Sequence, residues 1–499
     1  MRASTIRLLL AGCLLAIFST TRANNIEVTN VSLTGQSAGD ETTQIQFDLS
    51  WENSWRISVG PSNWDAAWVF AKYRVNGDAW RHATLSTTGS VAPADVTIDV
   101  TSDQLGAFIY RSSDGSGDVN WQDVELKWDY GEDGVDENAL VDIQVFAIEM
   151  VYVPEAAFQL GTSGVFGGGE IGIDRFRTLQ QFGMFFLQRA YSVNSEAAIT
   201  VSNTVGNLWY ENTVNGGDQL GPIPAEFPKG FAAFYCQKYE TSQDQWIGFF
   251  NALTPGQKTE LDVTGPEGKN SDDEFIRNGI SWPDAGSATT TLPNVPMNYV
   301  RNEFMLAYLD WAGLRPMTEM EYEKACRGTL TAITSGFAWG SANIHASPYT
   351  VINVGEPNEI ISDPGSGTGN ANYIETNGAT GGPKRCGIFP ASALLNNREE
   401  TGASYYGIME MTGNVYEKTI SAGNPEGRAF TGNHGDGSIS GGGNHNVAGW
   451  PATDDGIGYR GGSYPNAIQF LLVSDRNDAA NSFSGNNGRI GFRAVRTAE

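Results

Sequence analysis

Basic residues are scarce in this chain: 31 Lys and Arg stand against 57 Asp and Glu in 499 residues, a formal net charge of −26. That balance excludes nucleic acid as a partner, because displacing phosphate counterions takes Lys and Arg. It suits an acidic, soluble exterior and, secondarily, divalent cations. Histidine is limited to His82, His345, His434 and His445. These form no helical His-x-x-x-His pair and no facial-triad spacing for non-haem iron. His434 and His445 share a Gly-rich loop with Asp436, a pattern that reads as solvated loop before it reads as a metal site. Cysteine numbers four, and one of them, Cys13, lies in an N-terminal leader. The remaining Cys236, Cys326 and Cys386 are an odd count, which excludes a fully paired disulfide framework. Small buried thiols are the reading, with one disulfide open.

Long apolar runs are also missing, apart from Leu8–Phe18. Roughly a dozen residues cannot span a bilayer as a helix, which needs about 20. With Arg2 and Arg7 before it and Thr21-Arg22-Ala23 after it, the run reads as a bacterial-type signal peptide, residues 1–23, cut after Ala23. Leu10-Ala11-Gly12-Cys13 spells the alternative, a lipobox that would anchor Cys13 to lipid. The apolar run continues through Phe18, past where acylation would fall, so cleavage is preferred. The expected destination is secretion or the cell surface.

What is abundant is glycine, 60 residues, together with 13 Trp and 18 Tyr, while only 18% of residues are charged. That composition describes a folded, loop-rich chain of two to four domains. Residues 24–148 predict a β-sandwich, from β-branched or alternating runs at Ile26–Leu33, Gln44–Trp51, Ala67–Val75 and Val141–Phe146 separated by Gly, Asp, Ser and Asn clusters. Its Trp51, Trp55, Trp64, Trp68, Trp80 and Trp121 are assigned to packing before any sugar-binding face. In residues 149–499 short strands and loops dominate, with one clear helix. Thr318 and Glu321 form a capping box, Tyr322, Ala325 and Cys326 a buried stripe, and Gly328 the stop.

The second region carries a family likeness. Met150–Gly161 (MVYVPEAAFQLG), Phe234–Trp246 (FYCQKYETSQDQW), Leu314–Gly328 (LRPMTEMEYEKACRG), Phe337–Gly340 (FAWG), Tyr406–Glu417 (YGIMEMTGNVYE), Tyr459–Tyr464 (YRGGSY) and Gly491-Phe492-Arg493 occur in this order. Together they resemble the formylglycine-generating-enzyme, or sulfatase-modifying-factor, family. The resemblance implies an α+β fold of the C-type lectin-like kind for 149–499, with about 164–227 as an insertion on its surface.

Family enzymes oxidise a sulfatase cysteine to formylglycine with copper(I) held by two cysteines, since a soft ion needs soft thiolates. Aligned from Tyr464, those positions are Asn466 and Leu471. Neither supplies a thiolate, so copper is not expected. The family's Gly-Asn-Val-x-Glu segment wraps a structural calcium, which would fall on Gly413, Asn414, Val415 and Glu417; the alternative is that Asn414 and Glu417 only hydrogen-bond the turn. A second calcium is doubtful because the family's aspartate is here Gly387.

Three functions follow from the resemblance. The first is a non-catalytic surface protein that uses the scaffold to bind a glycan, a protein or copies of itself. The second is an oxidase with an unrecognised site. The third is a ligand-binding protein diversified by a retroelement, for which Tyr464–Arg489, rich in Asn466, Asn477, Asn481, Asn486 and Asn487, is the varied segment. The candidate ligand-binding residues are Tyr464, Asn466, Gln469, Asp475, Arg476 and Asn477.

Overall fold

The computed structural model describes residues 26–163, 175–210 and 215–499. The expected signal peptide, with Cys13, lies outside these residues. The first half supplies β1 (Glu27–Ser37), β2 (Thr42–Arg56), β3 (Asp65–Val75), β4 (Arg81–His82), β5 (Val96–Val100), β6 (Ala107–Arg111), β7 (Gly115–Asp129) and β8 (Val141–Val153). Then come β9 (Phe158–Leu160), the hairpin β10 (Thr178–Phe182) and β11 (Phe185–Arg189), β12 (Tyr191–Val193) and β13 (Phe234–Gln237). Helices α1 (Gln243–Asn251) and α2 (Pro255–Glu260) precede the short pair β14 (Ile280–Ser281) and β15 (Thr289–Thr290). Next are α3 (Asn302–Trp311), β16 (Arg315–Pro316), α4 (Glu319–Arg327), β17 (Val351–Ile352), β18 (Ile360–Ile361) and α5 (Ile388–Ser392). The chain closes with β19 (Tyr416–Ile420), α6 (Pro425–Arg428), β20 (Ile457–Arg460), β21 (Ile490–Gly491) and β22 (Ala494–Thr497).

The four strand runs expected from β-branched patterning lie on β1, β2, β3 and β8. Strand β3 shows why the pattern there is continuous and not alternating. Its odd residues Ala67, Val69 and Ala71 pack with Ile45, Phe47 and Leu49 of β2 in one core, while Ala66, Trp68 and Phe70 pack with α1 and α3 in another. A strand covered on both faces is apolar at every position. The three-stranded sheet β1-β2-β7 covers one face of an eight-stranded sheet whose path is β16-β22-β13-β8-β3-β6-β5, with β4 on β3.

Strand β8 runs through the expected boundary at 148–149. Its first part pairs with β3 from Val141↔Val75 to Val151↔Asp65, and its end pairs with β13 at Val153↔Phe234. The two regions therefore share one sheet. They also share polar ties: Lys238 Nζ reaches Glu149 at 2.5 Å, and Trp68 Nε1 donates to the Ala312 carbonyl at 2.9 Å. Of the six tryptophans singled out, Trp51 and Trp68 are buried, and Trp55, Trp64, Trp80 and Trp121 pack against the cores. They form no common exposed face.

The stretch 164–227 departs from a purely superficial insertion. Residues 164–174 and 211–214 fall outside the described residues, but Phe176, Ile199, Leu208, Tyr210, Ile223 and Phe227 enter the main core. Its β10–β11 hairpin is the part that projects.

Helix α4 forms as its capping box requires: Thr318 Oγ1 accepts from Glu321 N at 3.1 Å and Glu321 Oε2 from Thr318 N at 3.0 Å. Gly328 ends it at φ 59°. The apolar stripe Tyr322, Ala325 and Cys326 is buried, but so is the charged face, all nine residues of the helix. Ion pairs explain this. Glu319 takes Arg460 and Arg476, at 3.0 and 2.7 Å, and Glu323 takes Arg460 and Arg327, at 2.8 and 3.0 Å.

Candidate functional site

Strands β19, β20 and β21 form a separate small sheet in which Lys418 opposes Tyr459 and Tyr416 pairs with Ile490. Alternation along β19 puts Tyr416 and Lys418 on one face. The rings of Tyr416 and Tyr459 lie 6.0 Å apart and pack on Ile490. They form the floor of a cavity of about 390 Å³, walled by Asn466, Phe470, Asp478, Asn481, Phe483 and Arg489. That volume lies in the range of small-molecule sites.

Hydrogen bonds to the wall residues fix the floor. Tyr416 Oη donates to Asp478 Oδ2 at 3.0 Å, Asn481 Nδ2 to Asp478 Oδ1 at 3.0 Å, and Tyr459 Oη to the Phe483 carbonyl. Burial pushes both phenols up, and the Asp478 carboxylate adds to it. Arg489 works the other way: its positive charge lowers Tyr416, Tyr459 and Tyr464. Arg489 is itself exposed at the cavity wall. Beneath Tyr459 lies the Lys418 ammonium, 5.9 Å from the ring centroid. Burial brings Lys418 down to about 7, and its Nζ donates to Asn302 Oδ1 and, at 3.0 Å, to the Ser484 carbonyl. The cavity thus presents aromatic rings, two amides, the Asp478 carboxylate and one exposed cation, with neither thiol nor imidazole among its lining residues.

The residues expected to bind a ligand divide. Asn466 lines the cavity, although its Oδ1 also accepts from Ser463 N at 3.1 Å to shape the turn. Tyr464 is buried, and its N–H bonds the Asn414 carbonyl at 2.8 Å. Gln469 is half-buried outside the lining, as is Asn477. Asp475 and Arg476 are buried and lie outside the lining of this cavity. Arg476 makes a two-pronged pair with Glu319, at 2.7 and 2.8 Å, between the rings of Phe176 and Tyr210. A guanidinium held this way fixes structure. Tyr416, Tyr459, Phe470, Phe483 and Arg489 went unrecognised as lining residues, because pairing between strands some 40 residues apart leaves no local pattern. The Tyr416 and Tyr459 motifs themselves were visible.

Of the two residues that the resemblance aligns with copper ligands, Asn466 has an amide and Leu471 is fully buried with Phe337, Trp339 and Tyr373. Cys236, Cys326 and Cys386 are free and buried, so the disulfide left open does not form in this structure. Burial raises all three thiols, Cys326 to about 12. Elsewhere, His434 Nε2 accepts from Thr497 N at 3.0 Å and Asp436 accepts from Ser438 N at 2.8 Å, so the loop these residues share with His445 is held by its own bonds.

The expected calcium segment is one turn leading into β19. Gly413 takes φ 81°, and a Cβ there would meet the Asn372 carbonyl at 2.5 Å. Asn414 Oδ1 accepts from Asn372 Nδ2 at 3.0 Å and Lys384 N at 2.8 Å, while its Nδ2 donates to Glu240 at 2.7 Å and to the Lys384 carbonyl at 3.2 Å. Val415 N–H donates to the other Glu240 oxygen at 3.1 Å. Glu417 Oε1 takes Arg493 at 2.6 Å. Its Oε2 is buried with no hydrogen-bond partner, as is Glu410 Oε2. Burial raises Glu240, Glu410 and Glu417, with Glu410 reaching about 7. Glu417 Oε2 fits a hard cation; the fully bonded Asn414 side chain does not. Gly387, at φ 71°, occupies a left-handed position that favours glycine, and its N–H donates to Glu410 Oε1 at 2.9 Å.

Comparison with known proteins agrees with these convergent motifs. The bovine (Bos taurus) formylglycine-generating enzyme is 30% identical over an alignment of 156 residues that covers 25% of this chain and 40% of that protein. The chain thus matches less than half the length of that relative. A solved structure, Treponema denticola variable protein 1, is similar at 11% identity, covering 71% of this chain and 96% of that one with a TM-score of 0.32. The family described as "Sulfatase-modifying factor enzyme 1-like domain" matches residues 192–498. With more than half of its length matched, this chain belongs to the sulfatase-modifying-factor enzyme 1-like family.

Proposed function

We propose that this is an exported, non-catalytic member of its family that binds a glycan in the cavity above Tyr416 and Tyr459. The observation that carries the reading is the cavity's make-up: the accessible rings of Phe470 and Phe483 beside the buried Tyr416 and Tyr459 for the apolar side of a sugar ring, Asn466, Asn481 and the Asp478 carboxylate for hydroxyls, and exposed Arg489 for a further hydroxyl. The absence of thiol and imidazole from its lining supports binding over oxidation. In this proposal residues 24–148 are a β-sandwich platform and the family region is a C-type lectin-like scaffold, presented outside the cell after removal of residues 1–23.

The test is titration calorimetry against a panel of neutral and uronic-acid oligosaccharides, with Arg489→Ala expected to weaken binding at least about tenfold, the loss of one charge-assisted hydrogen bond. Incubation with copper(I) and a Cys-x-Pro-x-Arg peptide is expected to give no aldehyde by mass spectrometry. Catalytic formation of formylglycine would overturn the non-catalytic reading, and no binding across the panel would overturn the glycan.

A structural calcium held through Glu417 is a separate proposal, supported by the unpartnered Glu417 Oε2, with the Asn414 side chain shaping the turn and not ligating. A chelator is then expected to lower the melting temperature, as loss of any ligand bound by the native state does. An unchanged melting temperature would end it.

A further inference from the structure

Two buried lysines, Lys418 and Lys384, each donate to the side-chain carbonyl of an asparagine, and only one of those asparagines also holds a carboxylate. On β19, Lys418 Nζ donates to Oδ1 of Asn302, the first residue of α3, and to the Ser484 carbonyl at 3.0 Å. The other end of that amide, Asn302 Nδ2, donates to Asp454 Oδ1 at 2.7 Å. An ammonium only donates and a carboxylate only accepts, so the amide is held in one orientation, carbonyl toward the amine and nitrogen toward the acid. Lys384 Nζ reaches Asn372 Oδ1 at 3.0 Å in the same way. Asn372 Nδ2, however, donates to the Gly382 carbonyl at 3.2 Å and to Asn414 Oδ1 at 3.0 Å, amide oxygens that do not take up a proton near neutral pH.

The Lys418 site has the parts of an acyl-transfer centre. Burial brings the Lys418 amine down to about 7, with Arg301 acting in the same direction and Asp454 and Glu303 against it. Near neutral pH a large share of it is therefore free, nucleophilic amine. Its target, Asn302 Cγ, lies one carbonyl bond, about 1.2 Å, beyond the oxygen that Nζ touches. Lys418 and Asn302 are both buried, which keeps water from competing, while Asp454 is half-buried. Gly485 leaves room for the amine, since a Cβ there would collide with Lys418 Nζ.

We propose that Lys418 and Asn302 join in an intramolecular isopeptide bond, with Asp454 as the proton carrier. Lys418 Nζ attacks Asn302 Cγ, and as the new N–C bond forms, the proton that Nζ sheds passes to the Asp454 carboxylate. Asp454 returns that proton to Nδ2, the Cγ–Nδ2 bond breaks, and one ammonia molecule leaves. Nothing is oxidised or reduced, and no co-reactant is consumed. The bond links residues 116 apart in sequence and ties the start of α3 to β19 under the cavity floor, whatever that cavity binds. Closing so long a loop restricts the unfolded chain and stabilises the fold.

Mass spectrometry of the purified full-length protein tests this. Its mass is expected to fall one ammonia short of that calculated from its sequenced N-terminus to Glu499. A tryptic digest should yield one branched species joining the peptides of Lys418 and Asn302, with the Lys384 and Asn372 peptides recovered unlinked. Asp454→Ala, at a half-buried position, is expected to keep the full mass of its own sequence and to melt at a lower temperature than the parent. Lys418→Arg, which keeps the charge and can keep the hydrogen bonds, should also keep its full mass. Separate, unlinked peptides of Lys418 and Asn302 in the parent overturn the proposal, and so does a cross-link that forms undiminished in Asp454→Ala.

Discussion

Two cores of this molecule are built by different chemistry. Between β1-β2-β7 and β3, the packing is apolar: Ile45, Phe47, Leu49, Val69, Val124 and Leu126 meet with no ion pair among them. Around α4 the helix is buried on every side, its own Arg327 included, and its three charged partners Arg315, Arg460 and Arg476 are buried with it. The first core gains stability from area removed from water and is indifferent to direction. In the second, each charge is tolerable only while its partner stays in place, because removing one leaves the other desolvated and unpaired. The lesson is that equal burial does not mean equal tolerance.

The sharpest way to break this comparison is Glu319→Gln, which preserves shape and removes the charge shared by Arg460 and Arg476. It is expected to cost about 3–5 kcal/mol in urea unfolding. A loss under about 1 kcal/mol would show that the network is no more demanding than the apolar core.

A pH titration comes next in size. His434 is brought down from 6.5 to about 4, first by burial, with Arg496 and Arg315 also disfavouring the charged form against the opposing pull of Asp103. Since the folded state resists a proton that the unfolded state accepts, the stability is complete above pH 6.5 and is lost as pH falls toward 4, by about 3 kcal/mol. His434→Gln should flatten that part of the profile; an unchanged slope would remove His434 from the account.

On the apolar side, Leu49→Met conserves volume and is expected to cost less than about 1.5 kcal/mol. A larger loss would mean that this core is as exacting as the ionic one. The smallest effect expected is that of Thr318→Ala, about 1 kcal/mol from the lost cap of α4. Thr318 Oγ1 also donates to the Pro228 carbonyl at 2.9 Å. Comparing Thr318→Ser, which keeps the hydroxyl, separates the cap and this bond from the methyl group's packing.

The same division separates what could be read in the chain from what could not. The strands around the apolar core were legible as β-branched runs because a strand's period is two residues and its neighbours in sequence set it. The α4 cap was legible for the same reason, since Thr318 and Glu321 are one turn apart. The full burial of α4 was not legible, because Glu319 finds its partners 141 and 157 residues away. Arg476, read as a ligand contact, became a core residue by that pairing. The boundary at 148–149 was drawn where the first run of strands gives way to the family-like motif starting at Met150, yet β8 continues through it because strand pairing does not stop where a motif starts.

The sequence by itself determined the family, through ordered motifs whose residues later meet as Arg493 with Glu417 and Arg460 with α4. It also determined the lack of thiolates at Asn466 and Leu471, since no fold changes an amide or an alkyl group into a soft ligand. Only the tertiary structure decided which side chains face a ligand. Tyr416, Tyr459 and Arg489 share a cavity because two strands and a returning loop bring them there. Contacts across such separations follow from how the whole chain closes, and no local spacing encodes them.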